Sequence, residues 1–221
     1  MQLTDIKPSI PELLYNILDR NGITELRPCQ SKAIDAGLLA SKSLLICTPT
    51  ASGKTLVAEM AMMNSIMKRI GKAIYIVPLK ALANEKHKDF SKRYGHLCNI
   101  GMSIGDHDAA DFHLSSYDLI ITTSEKLDSL MRHDVQWLKD VNTIVIDEIH
   151  LLNDPGRGPT LEILITMLKT LLKKVQIIGL SATIGNPSEL GAWLEADVVL
   201  DDWRPVELHH GVYMDGTVRF Y

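Results

Sequence analysis

Thr48-Pro-Thr-Ala-Ser-Gly-Lys-Thr55 joins an apolar run, Leu44–Cys47, to a stretch with helical periodicity. That stretch is marked by four apolar residues spaced three or four positions apart: Leu56, Met60, Met63 and Met67. We expect these four side chains to form a core stripe on a helix, and Leu44–Cys47 to form a buried strand. A Gly-Lys-Thr sequence at the start of a helix that follows a strand is typical of a phosphate-binding loop.

The chemistry of this loop suits a nucleotide. Backbone N–H groups at a helix start attract anions, and Gly53 lets the main chain approach a phosphate closely. Lys54 adds a mobile positive charge for the β- and γ-phosphates, and Thr55 supplies a hydroxyl ligand for Mg²⁺. The predicted nucleotide-binding residues of the loop are Thr50, Ala51, Ser52, Gly53, Lys54 and Thr55. The strict pattern has glycine where this chain has Thr48.

Composition bounds the function. A chain of 221 residues is long enough for one α/β domain with a connector, and no apolar run approaches the roughly 20 residues of a membrane span. The N-terminus lacks a secretory signal, so a cytoplasmic protein without membrane contact is expected. Cys29, Cys47 and Cys98 have no disulfide or zinc spacing and are interpreted as reduced structural residues. A net charge of −4 implies that any nucleic-acid contact is local.

The order of elements predicts the fold class. Met1–Pro11 is expected to be an extended lead-in, and Glu12–Arg20 a short amphipathic helix that ends at Asn21-Gly22. Short apolar strands then alternate with helices, which predicts an α/β fold with a doubly wound, mostly parallel sheet covered by helices on both faces. The predicted strands comprise residues 44–47, 72–78, 99–103, 117–122, 142–150, 175–180 and 198–200.

Polar clusters follow the carboxyl ends of three predicted strands, where parallel sheets bind ligands: Thr48–Thr55, Asp147–His150 and Ser181–Thr183. Asp147 and Glu148 can hold Mg²⁺ and activate a water molecule, or they can be a solvated strand end. His150 can bond to the Ser181–Thr183 segment or to a second domain, or it can be structural. Gln30 can read an adenine edge, or it can be a solvated helix start.

In their order along the chain, these clusters resemble motifs I, II and III of the superfamily 2 DExH-box helicases, in which Thr48 is a normal replacement for glycine. Three further segments resemble the Q motif, motif Ia and motif Ib of that family: Leu26–Gln30, Pro78–Glu85 and Thr122–Lys126. Three more are most similar to the Ski-like branch, and especially to the archaeal Hjm-type DNA helicases: Gly105–Asp108, Arg157–Glu162 and Trp203–Leu208. The resemblance implies a RecA-like fold that uses ATP and Mg²⁺.

The resemblance also implies residue roles. Gln30 would read adenine, and Lys54 would bind phosphate. Asp147, with Thr55, would organise Mg²⁺, and Glu148 would be the catalytic base. The residues expected to couple hydrolysis to movement are His150, Ser181 and Thr183. The residues expected to contact nucleic acid are Pro78, Lys80, Thr122, Thr123 and Lys126. Backbone N–H groups at a prolyl turn and a helix start suit a phosphate backbone, although the same segments can be simple strand-to-helix caps.

The expected organisation is a lead-in and short helix over residues 1–25, a RecA-like ATP-binding domain over 26–203, and a connector over 204–221. The connector would lead to a second RecA-like domain that this sequence does not contain. The chain is therefore expected to be a fragment or isolated domain of a longer helicase, inactive by itself as a helicase. By resemblance, the whole enzyme would bind single-stranded DNA, move 3′ to 5′ and act in replication-fork repair. An RNA helicase of the same branch and a stand-alone P-loop module are the alternatives.

Overall fold

A computed structural model describes residues 1–105, 113–133 and 136–221. Residues 106–108 of the Gly105–Asp108 segment therefore lie outside the described residues. Seven parallel strands form one sheet in the order β3-β4-β2-β5-β6-β1-β7. These strands are β1 (Leu44–Cys47), β2 (Lys72–Val77), β3 (Ile100–Ser103), β4 (Leu119–Thr123), β5 (Val141–Ile146), β6 (Gln176–Ser181) and β7 (Asp197–Leu200). The predicted α/β fold with a parallel sheet is confirmed.

Eight α-helices are described: α1 (Leu3–Ile6), α2 (Glu12–Arg20), α3 (Pro28–Asp35), α4 (Lys54–Met67), α5 (Lys80–Tyr94), α6 (Ser124–Arg132), α7 (Gly158–Leu171) and α8 (Pro187–Leu194). Helices α1 to α5 contribute to one hydrophobic core, which also contains Met60 and Met63 of the predicted stripe. Helices α6 to α8 contribute to a second core. Because successive residues of a strand point to opposite faces, Ile46 packs in the first core and Cys47 in the second.

Strand β5 ends earlier than the sequence predicted. The apolar run predicted a strand as far as His150, but the strand ends at Ile146. Glu148 has a φ of 52°, which turns the chain out of the extended conformation, and residues Ile149–Asn153 form a 3₁₀ helix. Asp147 and Glu148 therefore lie in the turn just beyond the carboxyl end of β5.

The N-terminal segment is not the extended lead-in that the two prolines suggested. Leu3–Ile6 forms a helical turn, and both of its end residues are buried in the first core. Gln2 also forms an isolated antiparallel bridge with Glu25. The spacing of Leu3 and Ile6 places both side chains on one helical face, so burying them favours a turn over an extended chain.

The C-terminal segment contains an antiparallel hairpin that the sequence analysis did not predict. Strands β8 (Gly211–Met214) and β9 (Thr217–Phe220) pair with each other, and all of their residues are exposed. Asp215 and Gly216 have φ values of 50° and 76°, as a tight two-residue hairpin turn requires. Along the described part of the chain, no helix combines the length and the apolar character that crossing a membrane requires.

Candidate functional site

The phosphate loop is attached to the neighbouring strand end. In the sheet Cys47 pairs with Ser181, and the next backbone N–H, that of Thr48, donates to the carbonyl oxygen of Ser181 at 3.3 Å. The hydroxyls of Thr48 and Ser52 hydrogen-bond to each other at 2.7 Å, and both residues are buried. Thr48 thus replaces the glycine of the strict pattern with a hydroxyl that closes the loop from inside.

Glycine is required at position 53. Its φ is +100°, and a Cβ atom there would lie only 2.4 Å from Nε2 of Gln30. That nitrogen donates to the carbonyl oxygen of Gly53 at 3.1 Å, while Oε1 of Gln30 accepts from the backbone N–H of Arg27 at 2.9 Å. The Arg27 guanidinium also donates to the carbonyl oxygen of Ala51 and lies over the ring of Trp203. Helix α3 therefore braces the phosphate loop from one side.

Lys54 lies at the start of α4 with its ammonium group over the loop. Its Nζ donates to the carbonyl oxygen of Thr48 at 2.7 Å. Burial is the main cause that lowers the Lys54 pKa from its ordinary value, and the nearby carboxylates of Glu148 and Asp147 oppose that shift. The loop cation and the two carboxylates after β5 therefore belong to one electrostatic site.

Both carboxylate oxygens of Asp147 accept hydrogen bonds. Oδ2 accepts from the phenol of Tyr75 at 2.8 Å, and Oδ1 accepts from the backbone N–H of Glu148 at 3.1 Å. Glu148 is partly exposed, and its Oε2 lies 3.3 Å from Nδ1 of His150. The geometry of that pair is not that of a hydrogen bond, and in the described structure Nδ1 has no hydrogen-bond partner.

The residues predicted for coupling lie on neighbouring strand ends. Oγ of Ser181 is buried beside the thiol of Cys47, and among residues 1–105, 113–133 and 136–221 it makes no hydrogen bond to His150. Thr183 is exposed in the segment that follows β6. His150 therefore lies beside the Glu148 carboxylate, and Ser181 lies beside the start of the phosphate loop.

Four of the five residues predicted to contact nucleic acid line a second depression, an open groove of about 620 Å³ beyond the ends of β2, β3 and β4. These four are Pro78, Lys80, Thr123 and Lys126. Thr122 is buried instead, and its hydroxyl donates to the carbonyl oxygen of Thr123. Thr123 caps α6, because its side chain accepts from the backbone N–H of Lys126 at 3.4 Å.

Arg157 connects the two depressions. It lines the groove with Lys80 and also lines a smaller cavity that contains Asp147 and Glu148. The loop before α7 is ordered by Asp154, whose carboxylate accepts from the backbone N–H groups of Arg157 and Gly156 at 2.9 Å. These bonds lower the pKa of the Asp154 carboxyl. The sheet edge therefore carries a loop with a cation and carboxylates on one side and a partly basic groove on the other.

Residues 27–190 match the family profile of the DEAD/DEAH box helicases. The chain belongs to the DEAD/DEAH box helicase family. The predicted resemblance to superfamily 2 helicases is therefore confirmed at the level of the family.

Curated relatives of this helicase domain include two archaeal proteins named ATP-dependent DNA helicase Hel308. The protein from Methanococcus vannielii is 53% identical over 214 residues, and that from Methanocaldococcus jannaschii is 54% identical over 214 residues. Each match covers 94% of this chain, but only 28% and 18% of the respective relative. The chain thus spans less than a third of the length of either relative.

Solved structures of helicases share the fold. The DUF1998 helicase MrfA superposes with a TM-score of 0.77 at 30% identity, over 88% of this chain and 33% of that chain. The structure of MrfA bound to DNA gives a TM-score of 0.78 at 29% identity, over 88% of this chain and 30% of that chain. The RecA-like helicase fold expected from the motif order is confirmed by these superpositions.

The residues of this helicase domain fit a magnesium ion of the kind that nucleotides carry. In the part of the chain that the structure describes, no three His, Cys, Asp or Glu side chains gather as a metal cluster. Mg²⁺ does not need one, because it keeps several waters and takes one or two protein oxygens plus phosphates. Each Asp147 oxygen accepts one hydrogen bond and so keeps a lone pair free, and Thr55 lies at the first turn of α4.

The structure adds four residues that the sequence analysis did not assign to the site of this helicase domain: Arg27, Tyr75, Arg157 and Trp203. Arg27 and Trp203 lie within the Leu26–Gln30 and Trp203–Leu208 segments, which resemble family motifs, but the resemblance implied no role for either residue. Arg157 belongs to the Arg157–Glu162 segment, which carried branch similarity and no role. Tyr75 is the one residue of β2 with an aromatic ring and a hydroxyl, and that is the only signal in the sequence. The predictions for Gln30 and the coupling residues stay predictions.

Proposed function

We propose that this chain is the ATP-binding half of an ATP-dependent DNA helicase, in which ATP hydrolysis is coupled to movement along single-stranded DNA. The observation that carries the proposal is the shared sheet edge. The carboxylates of Asp147 and Glu148 line a cavity next to a groove lined by Lys80, and Arg157 lines both the cavity and the groove. A protein that only bound a nucleotide would have no use for the second half of this arrangement.

In this proposal, each polar group of the nucleotide-binding part of the site has a role. The N–H groups of the loop from Thr50 to Gly53 and the ammonium of Lys54 bind the phosphates. Thr55 and Asp147 hold Mg²⁺, which supplies neutralisation of phosphate charge when it is bound. Glu148 accepts a proton from the attacking water, since its carboxylate is partly exposed beside Asp147. Gln30 reads the adenine edge while it braces the loop.

The coupling residues lie between the nucleotide and a partner surface. Nδ1 of His150 is buried without a hydrogen-bond partner within the described residues, and Oγ of Ser181 is buried beside the thiol of Cys47, so we expect both atoms to change partners when ATP or another domain binds. Thr183 is exposed two residues after Ser181. We assign these three residues to the transmission of hydrolysis to movement.

The groove half contacts the phosphate backbone. Lys80 and Arg157 supply positive charge, and the N-terminal ends of α5 and α6 supply backbone N–H groups. The resulting contact is local, in agreement with a net charge of −4. DNA is favoured over RNA because the relatives named above are DNA helicases and MrfA has been solved with DNA. Directional 3′ to 5′ movement and work at replication forks belong to the same proposal.

A second RecA-like domain completes the enzyme in this proposal. Residues 1–25 and 26–203 form the lead-in and the ATP-binding domain, and 204–221 connect to the partner domain. This chain covers 28% and 18% of its two Hel308 relatives, which supports a longer functional unit. We expect the isolated domain to bind ATP or ADP weakly with Mg²⁺ and to unwind nothing.

The test uses the longer protein that carries this domain. We expect its ATP hydrolysis to rise on addition of single-stranded DNA, and to be abolished by Lys54→Ala or Glu148→Gln. Lys54→Ala should remove nucleotide binding, whereas Glu148→Gln should retain it, because only the proton acceptor is lost. Lys173→Ala is the control for a lost positive charge, since Lys173 lies in a different surface groove.

Two results would contradict the proposal. An ATP hydrolysis rate that is equal with and without DNA or RNA would leave only a nucleotide-binding module. If the ATP hydrolysis rate were stimulated by single-stranded RNA and unaffected by DNA, the substrate would be RNA and not DNA. Unwinding assays on matched DNA and RNA duplexes with either overhang would then measure both substrate and direction.

A further inference from the structure

Tyr75 is a buried tyrosine whose hydroxyl reaches the candidate metal ligand. It lies in the middle of β2 and is fully buried. Its phenol donates to Oδ2 of Asp147 at 2.8 Å, and the two residues are 72 positions apart in the chain. The ring packs edge-on against Phe90 of α5, with centroids 5.3 Å apart and planes at 74°. Packing therefore limits the directions in which the hydroxyl can point.

Asp147 is held at both oxygens. The phenol of Tyr75 binds Oδ2, and the backbone N–H of Glu148 binds Oδ1. The backbone N–H of Asp147 also donates to the carbonyl oxygen of Ile76 on β2, which fixes the start of the turn. The carboxylate cannot rotate about its own bond without breaking one of the two hydrogen bonds, so its remaining lone pairs face fixed directions.

We propose that Tyr75 is a positioning residue, which holds the Asp147 carboxylate in the orientation that binds the magnesium of a magnesium–nucleotide complex. This inference rests on the proposed nucleotide-binding function. Outer partners that orient a metal-binding group commonly affect metal affinity by about 10–100-fold when they are removed.

The chain offers a matched control in Tyr94. It too is a fully buried tyrosine, but its phenol donates to the carboxylate of Glu59 on α4 and not to Asp147. Tyr75→Phe and Tyr94→Phe each remove one buried hydroxyl and keep the ring. Both changes should lower the melting temperature, but only Tyr75→Phe should affect magnesium-dependent binding.

The experiment measures binding of a fluorescent ADP analogue to this chain in Mg²⁺ and in EDTA, and compares the two affinities. We expect Tyr75→Phe to reduce the affinity gained from Mg²⁺ by about ten-fold, with little change in EDTA. Tyr94→Phe should keep the wild-type gain. In an Asp147→Asn background, Tyr75→Phe should have no further effect on that gain, because Tyr75 acts through the carboxylate.

The possible outcomes distinguish failure of the Tyr75 positioning role from failure of the proposed nucleotide-binding function. If wild type binds the analogue with a clear gain from Mg²⁺ and Tyr75→Phe shows the same gain, the positioning role is overturned and the nucleotide site remains. An equal loss of gain in Tyr94→Phe would also overturn it, since the effect would then be one of general stability. If wild type shows no nucleotide binding, the proposed function fails, and the role of Tyr75 fails with it.

Discussion

Nε2 of Gln30 lies 3.1 Å from the carbonyl oxygen of Gly53 and donates a hydrogen bond to it, which ties helix α3 to the phosphate loop. Only 3% of Gln30 is exposed, and its Oε1 is engaged by the backbone N–H of Arg27. A residue expected to read the base is thus first a brace for the loop that holds the phosphates. One of the two N–H groups of the Gln30 amide is therefore engaged by the loop.

Gln30→Glu should weaken the loop through the lost donor. Glutamate keeps the acceptor for the N–H of Arg27, but its carboxylate repels the carbonyl oxygen of Gly53. We expect a loss of stability of about 1–2 kcal/mol, with weaker binding of both ADP and GDP. Thermal melting and fluorescent-nucleotide titration measure the two effects. A loss confined to ADP, without a change in melting temperature, would indicate adenine reading without bracing.

The groove predicts salt-dependent binding of single-stranded DNA. Lys80→Ala and Arg157→Ala should each weaken binding several-fold, to a similar extent for unrelated sequences, because phosphates carry no sequence information. Each change should reduce the salt slope of log K by about 0.7, the value for one lost contact to a single strand. Fluorescence anisotropy at several salt concentrations measures this slope, with Lys173→Ala as the charge-matched control. A salt slope that is unchanged in both variants would exclude the groove as the site of DNA binding.

The buried carboxylate of Glu59 predicts a pH-dependent stability defect. Glu59 is ion-paired with Arg93 and accepts from the phenol of Tyr94, while burial raises its pKa. Arg93→Ala leaves the carboxylate without its counter-charge, which should destabilise the fold near pH 7 by about 1–2 kcal/mol, less than for a fully buried pair because the Arg93 side chain is 36% exposed. Because the pKa of Glu59 is raised in the folded state, its carboxyl is neutral below the unfolded-state pKa near 4.5, and the stability lost in Arg93→Ala is small there. The loss grows as the pH rises and Glu59 ionises.

Urea unfolding at pH 4.5 and pH 7 measures that defect, and Lys92→Ala, an exposed neighbour on α5, is its control. A defect of equal size at both pH values would mean that Arg93 stabilises the fold through packing alone. A defect that shrinks toward pH 7 would reverse the expected sign.

We expect the thiol of Cys98 to be alkylated slowly in the folded chain. Burial raises its pKa to about 11, and the three cysteines are buried and unpaired. The rate of alkylation at Cys98 should therefore keep rising about ten-fold per pH unit between pH 8 and pH 10, because the thiolate is the reactive form. Mass spectrometry of the labelled peptide measures the rate. In denaturant the same rate should level off near pH 9, and a plateau there in the folded chain would contradict the prediction.

Local patterns in the sequence were sufficient for most of the fold. Apolar runs with breaks at Gly and Pro predicted each strand of the large sheet, and the phosphate loop predicted the start of α4. The differences arise where chain geometry overrides the apolar pattern. Glu148 adopts a positive φ and ends β5 early, and Leu3–Ile6 turns because both end residues reach the core.

By itself, the sequence determined the phosphate loop, the alternation of strands and helices, and the placement of the polar clusters at strand ends. These features depend on neighbouring residues, whose periodicity and turn chemistry are local. Only the tertiary structure decided that Tyr75 holds Asp147, that Gln30 braces Gly53 and that Arg157 lines both the groove and the carboxylate cavity. Those contacts join residues far apart in the chain, and they depend on the order of strands in the sheet, which local patterns do not encode.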